Sequence, residues 1–172
     1  MSRPGAALEI EDLTVERLAA ASEVFAQALA WHGACLGQAA ESAEGFEALL
    51  PDLQLFAPAS EGAPYLHCGL RTTTALIYGR EVALAVAGRR TLPGEPSALA
   101  LSAVYGEAAA AGRPIAQHVR LALTLDDMTH LVAYHRLVLP LSLSLGPAVG
   151  VVTRFAHGPG RPAGPARPPR PN

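Results

Sequence analysis

Lysine is missing altogether from the 172 residues, so all 13 basic side chains are arginines. Charged residues make up only 16% and aromatics 5%, while half of the chain is hydrophobic. A core of that composition has to be packed from Ala, Leu and Val, under a thinly charged surface. With Ala, Gly, Arg and Pro all abundant, the missing lysine points to a high-GC coding sequence rather than to a functional demand. No apolar run approaches the ~20 residues of a spanning helix, because Arg, His, Asp or Gly interrupts each one, and no membrane span is expected. Cysteine is confined to Cys35 and Cys68, without CxxC spacing, and MSRPGAALEIEDL lacks the apolar core of a signal peptide. A cytoplasmic location is the expectation. GxSxG is absent, and GREVALAVAGRR holds glycines in neither GxGxxG nor GxxxxGKS order, so phosphate cradling is not indicated.

What charge there is lies unevenly. Residues 1–52 carry nine acids against Arg3 and Arg17, whereas residues 153–172 carry four arginines and no acid. The acidic part reads as solvated helix. The arginines of the tail are spread among prolines, and without cations gathered on one folded face no nucleic-acid partner is expected.

The length suits one domain with appendages, since single domains usually run to about 100–150 residues. Residues 1–12 read as a loose arm. Thr14 offers a helix N-cap, and Leu18, Ala21, Val24, Phe25, Ala28, Leu29 and Trp31 then recur at helical spacing, predicting one long amphipathic helix to about residue 35. A short helix over 43–50 should stop ahead of Pro51. Residues 53–57 and 65–69 read as a hairpin around the turn-rich PASEGAP. Residues 72–88 are helical but interrupted at Gly79 and Gly88, TLPGEP is a loop, and Ser97 would cap a helix to about residue 111 that buries Leu99, Leu101, Val104 and Ala108. IAQHVRLALT, HLVAYHRLVLPLS and AVGVVTRFAH then form an antiparallel meander. Beyond residue 157, six prolines and three glycines leave a tail too poor in apolar surface to offset its ordering entropy.

The segments LLPDLQLF, TALIYGREV, VYGEAAAAGRPI and YHRLVLPLSLSLGPAVGVV, in that order, resemble the stand-alone PAS-fold proteins of alphaproteobacteria over roughly residues 31–155. The resemblance implies an α+β fold: a five-stranded antiparallel sheet with helices on one face, preceded by an N-terminal amphipathic helix. Residues 1–50 would be arm and cap, 51–157 the PAS-like domain and 158–172 a disordered tail. It further implies a sensory or signalling adaptor module, with a small-molecule ligand, a signalling protein or a second copy of the chain as partner. No cofactor is named by the residues. The pocket positions expected to face inward are Leu76, Tyr78, Val104, Leu121, His135 and Leu137. The stripe of the first helix either folds back over its own sheet or forms a homodimer seam through Leu18, Val24, Phe25 and Leu29, the seam being the expectation.

Enzymatic chemistry is harder to place. His130 and His135 are five apart on a strand, hence on opposite faces, and no metal pair is spaced for ligation. A haem-binding sensor with His135 as single ligand is one alternative, beside the plainer reading of a hydrogen-bonded structural histidine. Ser142 and Ser144 have no acidic partner in the local sequence, Asp126 and Asp127 read as a solvated turn, and Cys35 and Cys68 as small buried hydrophobes. A small pocket enzyme of unspecified reaction is the remaining alternative; none of these residues is assigned a catalytic role.

Overall fold

The computed structural model describes residues 8–59, 62–93, 95 and 98–156. Strand β1 (Leu8–Leu13) leads into helices α1 (Val15–Ala21) and α2 (Glu23–Ala34), a 3₁₀ turn (Ala40–Ser42), α3 (Phe46–Leu49) and a second 3₁₀ turn (Leu50–Asp52). Then come β2 (Leu53–Phe56), β3 (Tyr65–Cys68), α4 (Thr73–Tyr78), α5 (Arg80–Leu84), α6 (Ala98–Ala111), β4 (Ile115–Leu125), β5 (Met128–Leu143) and β6 (Gly146–Phe155). All strand pairs are antiparallel, in the order β1-β4-β5-β6-β2-β3. The sheet therefore has six strands where five were expected.

The sixth comes from the segment read as an arm. LEIEDL alternates apolar and acidic residues, and β1 pairs with β4 from Leu8↔Leu121 to Leu13↔Ala116. That pairing covers the edge β4 would otherwise present to solvent. Glu9 faces Arg120 across the pair, 3.8 Å apart, and both are exposed.

The long N-terminal helix is in fact two. Thr14 caps α1, its hydroxyl accepting from the Arg17 amide at 3.2 Å. Ser22 is extended and lies between the helices, its carbonyl accepting the Phe25 and Ala26 amides. The Ser22 side chain makes no capping bond, so the break is marked by its extended backbone. Leu18, Phe25, Ala28 and Trp31 then pack with Leu53, Leu137, Leu139 and Val152 of the sheet, while Val24 and Leu29 are half-buried against the same cluster. The seam residues Leu18 and Phe25 are thus used up inside one chain, and α1–α2 is an intramolecular cap. It lies on the sheet face opposite α4–α6, so helices cover both faces and not one.

On that second face, Val104, Tyr105 and Ala108 of α6 pack on Val138, Val149 and Val151, and Leu101 packs with Val119, Leu121 and Leu123. Leu99 is exposed. Thr72 caps α4 and Gly79 separates α4 from α5, as the sequence indicates. The short helix α3 ends at Leu49, ahead of Pro51 as expected, and Pro51 sits inside the 3₁₀ turn that feeds β2. Asp126 and Asp127, with φ of 50° and 62°, form the two-residue turn between β4 and β5, a conformation that hairpins favour and aspartate tolerates. Ser97, His157 and the tail 158–172 lie outside the described residues.

Candidate ligand cavity

Between the sheet and α4–α6 lies a cavity of about 50 Å³. Its buried positive charge comes from one residue, Arg90 being exposed where it joins the wall. Arg136, at the middle of β5, is 1% exposed and lines this cavity. Its Nε and Nη2 donate to Gln117 Oε1 at 2.9 and 2.7 Å, and its Nη1 donates to the Leu101 carbonyl at 2.7 Å. The guanidinium lies over the Tyr105 ring, 5.6 Å from its centroid. Among the described residues no carboxylate lies within ion-pair distance of it. A buried charge in that state has to be compensated by hydrogen bonds and by a polarisable ring.

Gln117 carries the contact outward. It is Arg136's direct neighbour across the β4–β5 pair, and its Nε2 donates to Asp12 Oδ1 at 2.8 Å. Asp12 is exposed on β1, directly opposite Gln117. A continuous chain of bonds therefore runs from the cavity through Arg136 and Gln117 to the edge strand that enters the N-terminal cap.

The remaining wall is hydroxyl-rich. Tyr65, Tyr105 and Tyr134 contribute rings, and burial pushes the phenols of Tyr65 and Tyr105 above their ordinary pKa. Thr73 donates through both amide and hydroxyl to Thr153 Oγ1, each at 3.0 Å, and Gln54 Nε2 donates to Thr74 Oγ1. Glu95 also lines the cavity; its carboxylate accepts the Leu92 amide at 2.9 Å, and burial raises its pKa. Larger grooves of about 230 Å³ beside His32 and Pro140, and about 400 Å³ beside Trp31 and Arg71, lie at the surface.

None of the six expected pocket residues lines this cavity. Val104 and Leu121 are buried on the correct face, next to it. Tyr78 is half-buried and donates its hydroxyl to the Pro93 carbonyl at 2.7 Å. Leu76 is 62% exposed. His135 and Leu137 lie on the opposite face: Leu137 is buried under the cap, and His135 stands across from His118, ring centroids 5.0 Å apart. The expectation along β5 was one residue out of phase, since Tyr134 and Arg136 occupy the face assigned to His135 and Leu137. A shift of one residue exchanges every side chain between faces.

Other residues singled out earlier have structural partners. Both thiols are buried; burial is the largest influence on each and pushes both pKa values up. Ser144 does have an acidic partner, Glu41, whose Oε1 accepts its amide at 2.6 Å and also its hydroxyl; no histidine joins them. His32 on α2 donates from Nε2 to the Pro140 carbonyl at 2.9 Å. Pro140 lies past the last β4–β5 pair, where a missing N–H costs β4 nothing. Among the described residues no group of three or more His, Cys, Asp or Glu is placed to hold a metal ion. No helix among them is long and apolar enough to cross a membrane.

The motif LLPDLQLF has a role that the sequence did not disclose. Asp52 is 4% exposed and accepts from Arg71 Nε at 3.1 Å and from Arg154 Nη2, joining the start of β2 to the loop after β3 and the end of β6. Burial raises its pKa, but the bonds and charges of Arg71 and Arg154 outweigh that and hold it below the usual carboxylate range. Beside it, the Pro51 carbonyl accepts the Arg71 amide at 2.7 Å and Leu53 accepts the Gly69 amide at 2.9 Å.

Compared with family models, curated proteins and solved structures, the chain shows no match. The cavity and its bonds therefore carry the functional reading by themselves.

Proposed function

We propose that the chain is a sensory or signalling adaptor domain of the PAS kind, in which a small molecule held between the sheet and α4–α6 alters how the N-terminal cap engages a protein partner. The observation that carries this reading is the bond chain Arg136–Gln117–Asp12, which ties the cavity to β1. A hairpin, short helices, a longer helix and a closing meander, in that order, support the PAS assignment. A ligand that rearranges Arg136 changes the partner available to Gln117 and hence the hold on Asp12. Differential contact of this sort is what allows a ligand to shift a population. A haem reading through His135 receives no support, because that ring lies on the far face of the sheet from the cavity.

Ser102 on α6 lines the cavity and donates its hydroxyl to the Leu99 carbonyl of its own helix. Ser102→Leu should fill part of the space and imitate occupancy with little cost to α6. Hydrogen exchange should then change at the amides of β1 and α1, which the new side chain does not touch. Introducing Gln117→Leu beforehand should abolish the response. Changes confined to α6 and the facing strands would sink the signalling reading.

A further inference from the structure

We propose that the cavity takes a small monocarboxylate, whose oxygens accept the N–H bonds of Arg136 that the protein leaves over. This rests on the reading of the cavity as a ligand site. A guanidinium has five N–H donors. In Arg136 three are used, two on the single oxygen of Gln117 and one on the Leu101 carbonyl, and both acceptors are neutral. The other two, one on each terminal nitrogen, are taken by neither Gln117 nor Leu101, and the protein group beside them is the neutral Tyr105 phenol. A planar fork matches a carboxylate better than it matches a single-point acceptor.

Charge points the same way. Arg136 is among the largest fully buried side chains and has no ion-pair partner among the described residues. Glu95, the acid in the same wall, is engaged by the Leu92 amide, and its burial disfavours the ionised form. Arg90 also lines the cavity but is exposed, so Arg136 is its buried cation; a single negative charge delivered by a ligand would neutralise that guanidinium, whereas a divalent anion would bring a second charge into the buried part of the site. Size bounds the rest. About 50 Å³ corresponds to roughly three or four waters, so the ligand has about four to six non-hydrogen atoms, the range of acetate, propionate and lactate. The hydroxyls of Tyr134 and Ser102 in the wall would suit a hydroxy acid.

The test is calorimetric titration of the full chain with sodium acetate, propionate and L-lactate, against acetamide, propionamide, phosphate and chloride at matched ionic strength. A carboxylate dissociation constant of about 10 μM to 1 mM is expected, in keeping with so few atoms. The matching amide should bind at least tenfold more weakly. Arg136→Gln should lose the carboxylate preference. Should that variant not fold, Ser102→Leu, which leaves Arg136 in place and obstructs the space, has to weaken carboxylate binding at least tenfold. Equal binding of amide and acid, stronger binding of phosphate or chloride, unimpaired binding by folded Arg136→Gln or by Ser102→Leu, or no heat from any carboxylate would each overturn the assignment. A neutral amide that binds and still alters β1 exchange overturns the carboxylate class and leaves the sensory reading standing. Carboxylate binding without effect on β1 does the reverse.

Discussion

Replacing Asp52 by Asn removes one charge and almost no volume from the corner where the cap, the hairpin and β6 meet. Asp52 is buried, Arg154 is about 30% exposed and Arg71 is 61% exposed, so the Arg154 contact carries most of the effect and Arg71 is largely screened. A charge-assisted bond to a buried group contributes about 1.5–3 kcal/mol. Asn keeps one acceptor oxygen, so the loss should be about 2 kcal/mol, less than the 3–5 kcal/mol seen when a wholly buried pair is broken. For a chain of this size that is roughly 4–8 °C in Tm at neutral pH. Because the folded-state pKa of Asp52 is depressed, its contribution is present above the unfolded value of about 3.9 and is lost as pH falls through the folded one. The gap between parent and variant should therefore stay level from about pH 7 to 5 and narrow below about pH 4. Urea unfolding at several pH values measures both quantities. A variant within 0.5 kcal/mol of the parent at pH 7, or a gap that widens in acid, would refute the electrostatic account of this corner.

Three further outcomes follow from the packing. Gly69→Ala would place a Cβ 2.3 Å from the Leu50 carbonyl oxygen and 2.4 Å from that of Pro51, so backbone has to move; a loss of at least about 2 kcal/mol is expected by chemical denaturation, and a neutral result would contradict the corner geometry. Phe25→Ala should cost about 3–5 kcal/mol, and Phe25→Glu should unfold the chain rather than yield a folded monomer, as circular dichroism with light scattering would register. Cys35 and Cys68 are buried with raised pKa, so a thiol reagent at pH 7.5 should find no reactive cysteine in the native protein and two after denaturation.

Local signals sufficed for much of the fold. Apolar spacing with the caps Thr14 and Thr72, the punctuation at Gly79 and the turn residues of PASEGAP and LDDM depend on near neighbours in the chain, and the helices, the hairpin and the meander follow from them. Three features depended on tertiary context. LEIEDL carries a period-2 alternation too short to fix a strand by itself, and it became one because β4 offered an open edge. The faces of β5 were unreadable in HLVAYHRLVLPLS because helices cover the sheet on both sides. With Leu137, Leu139 and Leu141 buried under the cap and Val138 under α6, the period-2 contrast that marks one wet face disappears. Arg136 was masked for the same reason: in sequence a lone arginine within an apolar strand reads as its solvent side, and only the pairing with Gln117 and the stack on Tyr105, 31 positions back in the chain, make it the buried charge of a cavity. Composition and spacing determined which elements form, since those are decided within a few residues. Which side of each element is inside was decided by the partners that long-range pairing delivered.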